Sequence, residues 1–199
     1  MSLKPTSLRI ATTLCVLAGL CSAEIDLTPL QVSIGGGIIQ RTHFADGNKT
    51  YAVTIDAATE VTAPDRVPVF RFKNVPFASM TLRHSPLRSR PPFDAKSNPE
   101  YVKVAQALLP GAAEGITIVA EAKDVLPING WQSYRVVFSY TLAQAKMMES
   151  ITFLNFDANQ QLIIQTGARA GDFAFATERA DEIMRRWHEV LPGDEKGEN

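Results

Sequence analysis

Apolar and polar positions alternate with a period of two through most of the chain, the signature of half-buried strands. In "GGGIIQRTHFADGNKTYAVTID" one strand runs to a turn at Asp46-Gly47-Asn48. A second follows, with Tyr51, Val53 and Ile55 on one face. "VPVFRFKNVPFASMTLRHS" gives two more. Phe70 and Phe72 oppose Arg71 and Lys73, and after a bend at Asn74-Val75-Pro76, Ala78, Met80 and Leu82 alternate with Ser79, Thr81 and Arg83. "GITIVAEA" sets Ile116, Ile118 and Ala120 against Thr117, Val119 and Glu121. In "INGWQSYRVVFSY" Asn129-Gly130 is a pair suited to a two-residue hairpin turn, although Pro127 weakens pairing just before it. Beyond the turn Tyr134, Val136, Phe138 and Tyr140 form a core face. Arg135, Val137 and Ser139 form the less buried one. "MMESITFLNF" is apolar on both faces, Ile151 and Phe153 against Leu154 and Phe156, as in a strand covered on both sides. After a turn at Asp157-Ala158-Asn159-Gln160, "QLIIQTGA" returns as its neighbour.

The period changes to that of a helix twice. Asn98 suits an N-cap, Pro99 and Glu100 suit a first turn, and Tyr101, Val104, Ala105 and Leu108 make an apolar stripe that Pro110-Gly111 ends. A longer stripe, Phe173, Thr177, Ala180, Ile183, Met184, Trp187 and Leu191, starts at an Asp172 N-cap and stops at Pro192-Gly193. On this helix the neighbouring carboxylates Asp181 and Glu182 read as solvated surface charge. Several strands, a helix, four strands and a closing helix predict an α+β fold: a central antiparallel sheet of about six to seven strands with helices packed on its faces.

The N-terminus changes the picture of where the chain works. Lys4 and Arg9 stand without an acid, Ile10 to Leu20 is apolar, and Cys21 and Ala23 are small. Together they make a secretory signal peptide over 1–23, with cleavage after Ala23. The apolar stretch falls short of the ~20 residues of a spanning helix, so no transmembrane span is expected after cleavage. No small residue directly precedes Cys21, which weighs against a lipoprotein. Residues 24–191 then form one domain and 192–199 a polar tail. Both cysteines lie in the signal, so the mature chain enters an oxidising, periplasmic or extracellular space without a disulfide. Losing Lys4 and Arg9 moves the formal net charge from −1 to −3, which argues against nucleic acid as a partner.

Candidate chemistry is sparse. His43, His84 and His188 have no metal-ligand spacing, and His84-Ser85 alone makes no triad. No G-x-S-x-G elbow occurs. The glycines at 35–37 precede a strand and no Lys-Ser/Thr, so they are not a phosphate loop. No catalytic residue, metal site or cofactor is expected.

From about Tyr51 to Trp187 the chain resembles the PsbP/Mog-one-like group, which includes bacterial envelope proteins of the DcrB kind. The likeness rests on "YAVTID", "YVKVAQALLPGA", "INGWQSYRVVFSY" and "GDFAFATERADEIMRRW", taken in that order. It implies a central antiparallel sheet with helices on both faces. It also implies action by binding partners rather than catalysis. Metal and photosystem contacts of PsbP find no matching position, and a secretory signal does not fit Ran binding in the nucleus.

The expectation is a non-catalytic secreted or periplasmic protein that binds a partner or stabilises an envelope assembly. A carrier of a small apolar ligand or lipid is the alternative, and an unrecognised hydrolase a second one. The contact surface is expected in "PLRSRPPFDAKSNP", a proline-stiffened, locally basic loop. There Arg83, Arg88, Arg90 and Lys96 would meet an acidic protein or an anionic surface. Trp131, beside the turn, reads as a lid on the sheet edge or the core end, or else as a ligand-stacking ring.

Overall fold

The computed structural model describes residues 26–34, 37–46, 49–87, 91–128, 130–156 and 160–190. Residues 1–25, which include the expected signal segment, lie outside them, as do Arg88, Arg90, Asn129, Leu191 and the expected tail. So do Gly35, Gly36, the turn positions 47–48 and 157–159, and the expectations that rest on them.

Three N-terminal strands, β1 (Asp26–Ile34), β2 (Gly37–Asp46) and β3 (Lys49–Ile55), form an antiparallel meander. The main sheet is built from β4 (Thr59–Thr62), β5 (Val69–Phe72), β6 (Ser79–His84), β7 (Glu114–Lys123), β8 (Ser133–Leu142), β9 (Ala145–Asn155) and β10 (Gln161–Arg169). Its spatial order is β4-β5-β6-β10-β9-β8-β7, with every pair antiparallel. Helix α1 (Asn98–Ala107) precedes β7. Helix α2 (Phe173–Arg185) follows β10 and leads into a two-residue strand β11 (His188–Glu189) beside β3. The expected α+β sandwich is therefore present with seven strands in the main sheet. The β2–β3 hairpin, legible from its alternation, stands apart from that sheet with β1 and β11.

Each face of the main sheet has its own core. Phe70, Phe72, Met80, Leu82, Leu154 and Ile164 pack with Ala176, Ala180, Ile183 and Met184 of α2, and with Tyr51, Val53 and Ile55 of β3. On the opposite face Tyr134, Val136, Phe138, Ile151, Phe153 and Ile163 pack with Tyr101 and Ala105 of α1 and with Phe93. Strand β9 feeds both cores, as its two apolar faces require. The segment 91–97 ahead of α1 is anchored by the buried Phe93 and by the Tyr101 hydroxyl, which donates to the Pro91 carbonyl at 2.6 Å.

Several local expectations are corrected. Ser97, not Asn98, takes the N-cap position of α1. It makes no side-chain cap bond, and Asp94 Oδ1 accepts from the Lys96 and Ser97 amides just ahead of the helix. Helix α2 ends at Arg185 rather than at Pro192. The chain straightens there so that His188 and Glu189 can pair with Ala52 and Tyr51. The link from β7 to β8 spans residues 124–132 and is no two-residue hairpin, because Leu126 and Ile128 turn inward and are buried. Asp181 is buried at 8% exposure, contrary to its reading as surface charge. Arg135 lies on the face expected to be less buried, but α2 covers it. Its Nη1 and Nη2 donate to Asp181 at 3.1 and 2.5 Å, and its Nε donates to Thr152 Oγ1 at 2.7 Å. All three guanidinium nitrogens are used to pin helix to sheet, which makes Arg135 a structural clamp.

Strand β7 is the uncovered edge of the main sheet. It is exposed along nearly its whole length, Ile118 and Val119 included, and its pairing with β8 shifts register twice, between Glu114 and Thr117 and between Ile118 and Ala120.

One tight hairpin lies where the sequence carries no turn signal. Leu142 pairs with Ala145 across Ala143 and Gln144, whose φ angles are +47° and +67°. Two successive positive φ values suit Asn-Gly, and each costs an ordinary L-residue about 1–2 kcal/mol. Ala143→Asn with Gln144→Gly is expected to raise stability by about 1 kcal/mol. It should appear as a higher urea midpoint at unchanged slope; an unchanged or lower midpoint would show that the native pair is not strained.

Candidate functional site

Helix α1 covers only part of its face of the main sheet. Its stop at Leu108 and the following Pro110 leave a groove of about 200 Å³ over β6, β10, β9 and the end of β8. The strand register places its residues. Ser79, Gly167 and Glu149 are cross-strand neighbours in one row, Thr81 and Gln165 in the next, and Arg83 lies two positions beyond Thr81 on the same face. Such neighbours stand about 5 Å apart, so the polar side chains form one cluster.

Glu149 is the centre of it, at 4% exposure. Its Oε2 accepts from the Tyr140 hydroxyl at 2.8 Å, and its Oε1 accepts a short bond from Gln165 Nε2. The same Gln165 nitrogen donates to the Leu108 carbonyl at 3.2 Å, which ties the groove to the end of α1. Burial pushes the Glu149 carboxyl above its ordinary range, while the bonds from Gln165 and Tyr140 and the charge of Arg83 oppose that shift. Burial, and then the nearby Glu149 charge, push the Tyr140 hydroxyl up as well.

Around this carboxyl stand polar atoms with no hydrogen-bond partner among the described residues: Arg83 Nε, Thr81 Oγ1 and Gln165 Oε1. Buried polar groups left so cost about 1–3 kcal/mol each. Three in one patch mark a place where the fold forgoes stability, as functional sites do.

The rim is equally unusual. Phe77, in the turn between β5 and β6, has φ +65° and is 69% exposed. A left-handed backbone at an aromatic residue is strained. The Arg169 guanidinium carbon sits 4.5 Å from the centre of its ring, a cation–π contact that holds both side chains at the groove mouth.

Of the residues singled out in the sequence, Arg83 lines this groove. Lys96 is exposed in the turn before α1. Trp131 is half-buried against the α2-side core, edge-on to Phe156 at 4.9 Å, which is its reading as a lid on the core. These three do not share one site. Phe77, Glu149, Gln165 and Arg169 were not singled out. One signal was available: Glu149 is in phase with Ile151 and Phe153, a carboxylate on an inward-facing register. A second hollow, about 540 Å³ and open, lies between α1 and β7 and is lined by Ala95, Asn98, Pro99, Val102, Lys103 and Glu121. Among the described residues no group of three or more His, Cys, Asp or Glu could hold a metal ion, and no helix is long and apolar enough to cross a membrane.

No family model matches the chain, and no curated protein matches it. Several solved structures are similar. The Ran-binding protein Mog1p of Saccharomyces cerevisiae shares 13% identity at a TM-score of 0.42, over 82% of this chain and 96% of that one. LpqN of Mycobacterium tuberculosis, involved in cell envelope biogenesis, shares 10% at 0.42, over 84% and 92%. The cyanobacterial PsbP of Synechocystis shares 11% at 0.43, over 89% and 99%. These neighbours include members of the PsbP and Mog-one group that the sequence resembles. At such identities and scores the likeness is one of general fold and carries no site from one chain to another.

Proposed function

We propose that this chain is a non-catalytic binding protein of the periplasm or extracellular space. In this reading a protein partner seats on the open half of the α1 face, with Phe77 and Arg169 as anchors and the Arg83 groove beneath them. The observation that carries the reading is Phe77. A large apolar ring is held out in solvent, on strained backbone, by a stacked arginine, beside a polar groove. Aromatic and arginine side chains dominate the energetics of protein interfaces. The groove supplies a guanidinium, hydroxyls and a hydrogen-bonded carboxyl, which is equipment for recognition.

Phe77→Asn tests it. Asparagine tolerates positive φ, so the melting temperature should stay level or rise. Recovery of the partner after cross-linking in the native envelope should fall at least about fivefold, the scale of a hot-spot loss. Unchanged recovery would remove Phe77 from the interface and the reading with it.

A further inference from the structure

The groove joins a cation and a buried carboxyl in a way that couples binding to protons. Arg83 and Glu149 line the same hollow, and the charge of Arg83 favours the ionised form of Glu149. The guanidinium nevertheless has a free Nε among the described residues and no hydrogen bond to Glu149, whose oxygens are taken by Tyr140 and Gln165. Arg83 is thus positioned to take a second carboxylate, for which its planar fork is suited. Arg169 at the mouth adds positive charge of the same sense. Arg71, next to Ser79 on this face, is set against Glu60 across the β4–β5 pair.

We infer that the groove captures a carboxylate of an acidic partner on Arg83, and that Glu149 takes up a proton as this happens. Resting on the reading of this face as a partner site, the inference names the partner's chemistry and how pH controls it. Two carboxylates that share one guanidinium disfavour each other's charge. Glu149, already disposed to protonation by its burial, is the one that yields. A ligand that makes a group hold its proton more firmly binds more tightly as pH falls. The groups facing Glu149 are Tyr140 from β8, Gln165 from β10 and Arg83 from β6; the last turn of α1 carries no basic residue. Among them Glu149 is the only carboxyl.

The test uses a fluorescent hexa-aspartate peptide as probe and hexa-asparagine as the uncharged control, with the whole mature chain at pH 5.5 and pH 8. Wild type should bind hexa-aspartate roughly tenfold more tightly at pH 5.5, the effect of about one unit of pKa change on binding. Hexa-asparagine should not compete. Glu149→Gln should bind with the tighter affinity at both pH values, and Arg83→Gln should lose at least about tenfold at pH 5.5. His43, His84 and His188 remain in every variant. A pH slope that survives in Glu149→Gln would therefore belong to them and overturn the proton coupling. Arg83→Gln binding as well as wild type would overturn the carboxylate site. Either failure would leave Phe77-dependent recovery of the native partner intact if the interface reading stands, so the two are told apart.

Discussion

Asp181→Ala is expected to destabilise the protein by about 3–5 kcal/mol, because it strands a buried guanidinium. The Arg135 side chain is 12% exposed, beneath α2, and its other partner, Thr152, is a neutral hydroxyl that cannot offset the charge. Replacing the pair together, Arg135→Met with Asp181→Leu, should recover most of the loss, since the removal of both partners leaves no uncompensated charge. Urea unfolding of the three proteins decides it. A single mutant that loses under about 1 kcal/mol would mean that water reaches the guanidinium and that the clamp does not hold α2.

Trp187→Ala should cost a similar amount, about 3–5 kcal/mol, for a different reason. The indole is buried just past the end of α2. It lies 5.6 Å from the Tyr51 ring on β3 and 5.7 Å, edge-on, from Phe156 at the end of β9. It therefore joins the small sheet to the main one. Besides the global loss, amide hydrogen exchange should rise in β3 and β11 more than in β8 and β9. Equal loss of protection everywhere would show that the two sheets do not separate at this point.

How much of this was legible follows from which residues carry it. Strands announce themselves when a pattern of two is enforced by a buried face, as for Phe70 and Phe72, or for Tyr134 through Tyr140. The stripe of Tyr101 and Ala105 likewise gave α1. What escaped depends on partners far along the chain. Asp181 beside Glu182 looks like any exposed acidic pair until Arg135, 46 residues earlier, is brought beneath it. The end of α2 depends on β3 offering an edge to His188. The groove draws on four strands and a turn, so no stretch of sequence holds its signature. Arg83 was singled out for its charge alone, and Glu149, in phase with Ile151 and Phe153, offered a signal that was not used. Phe77 sits in a turn, where hydrophobic patterning has nothing to say, and its strain is a property of the backbone.

The two register shifts in β7 bear on how the molecule behaves in a crowd. A ten-residue sheet edge, uncovered and carrying Ile118 and Val119 in solvent, is the kind of surface on which other chains stack into fibres. Each shift kinks the strand and interrupts its ladder. A straight strand from a neighbour cannot follow that edge from end to end, and Glu114, Glu121 and Lys123 place charges along it. The bare end of the sheet is thereby a poor seed for aggregation.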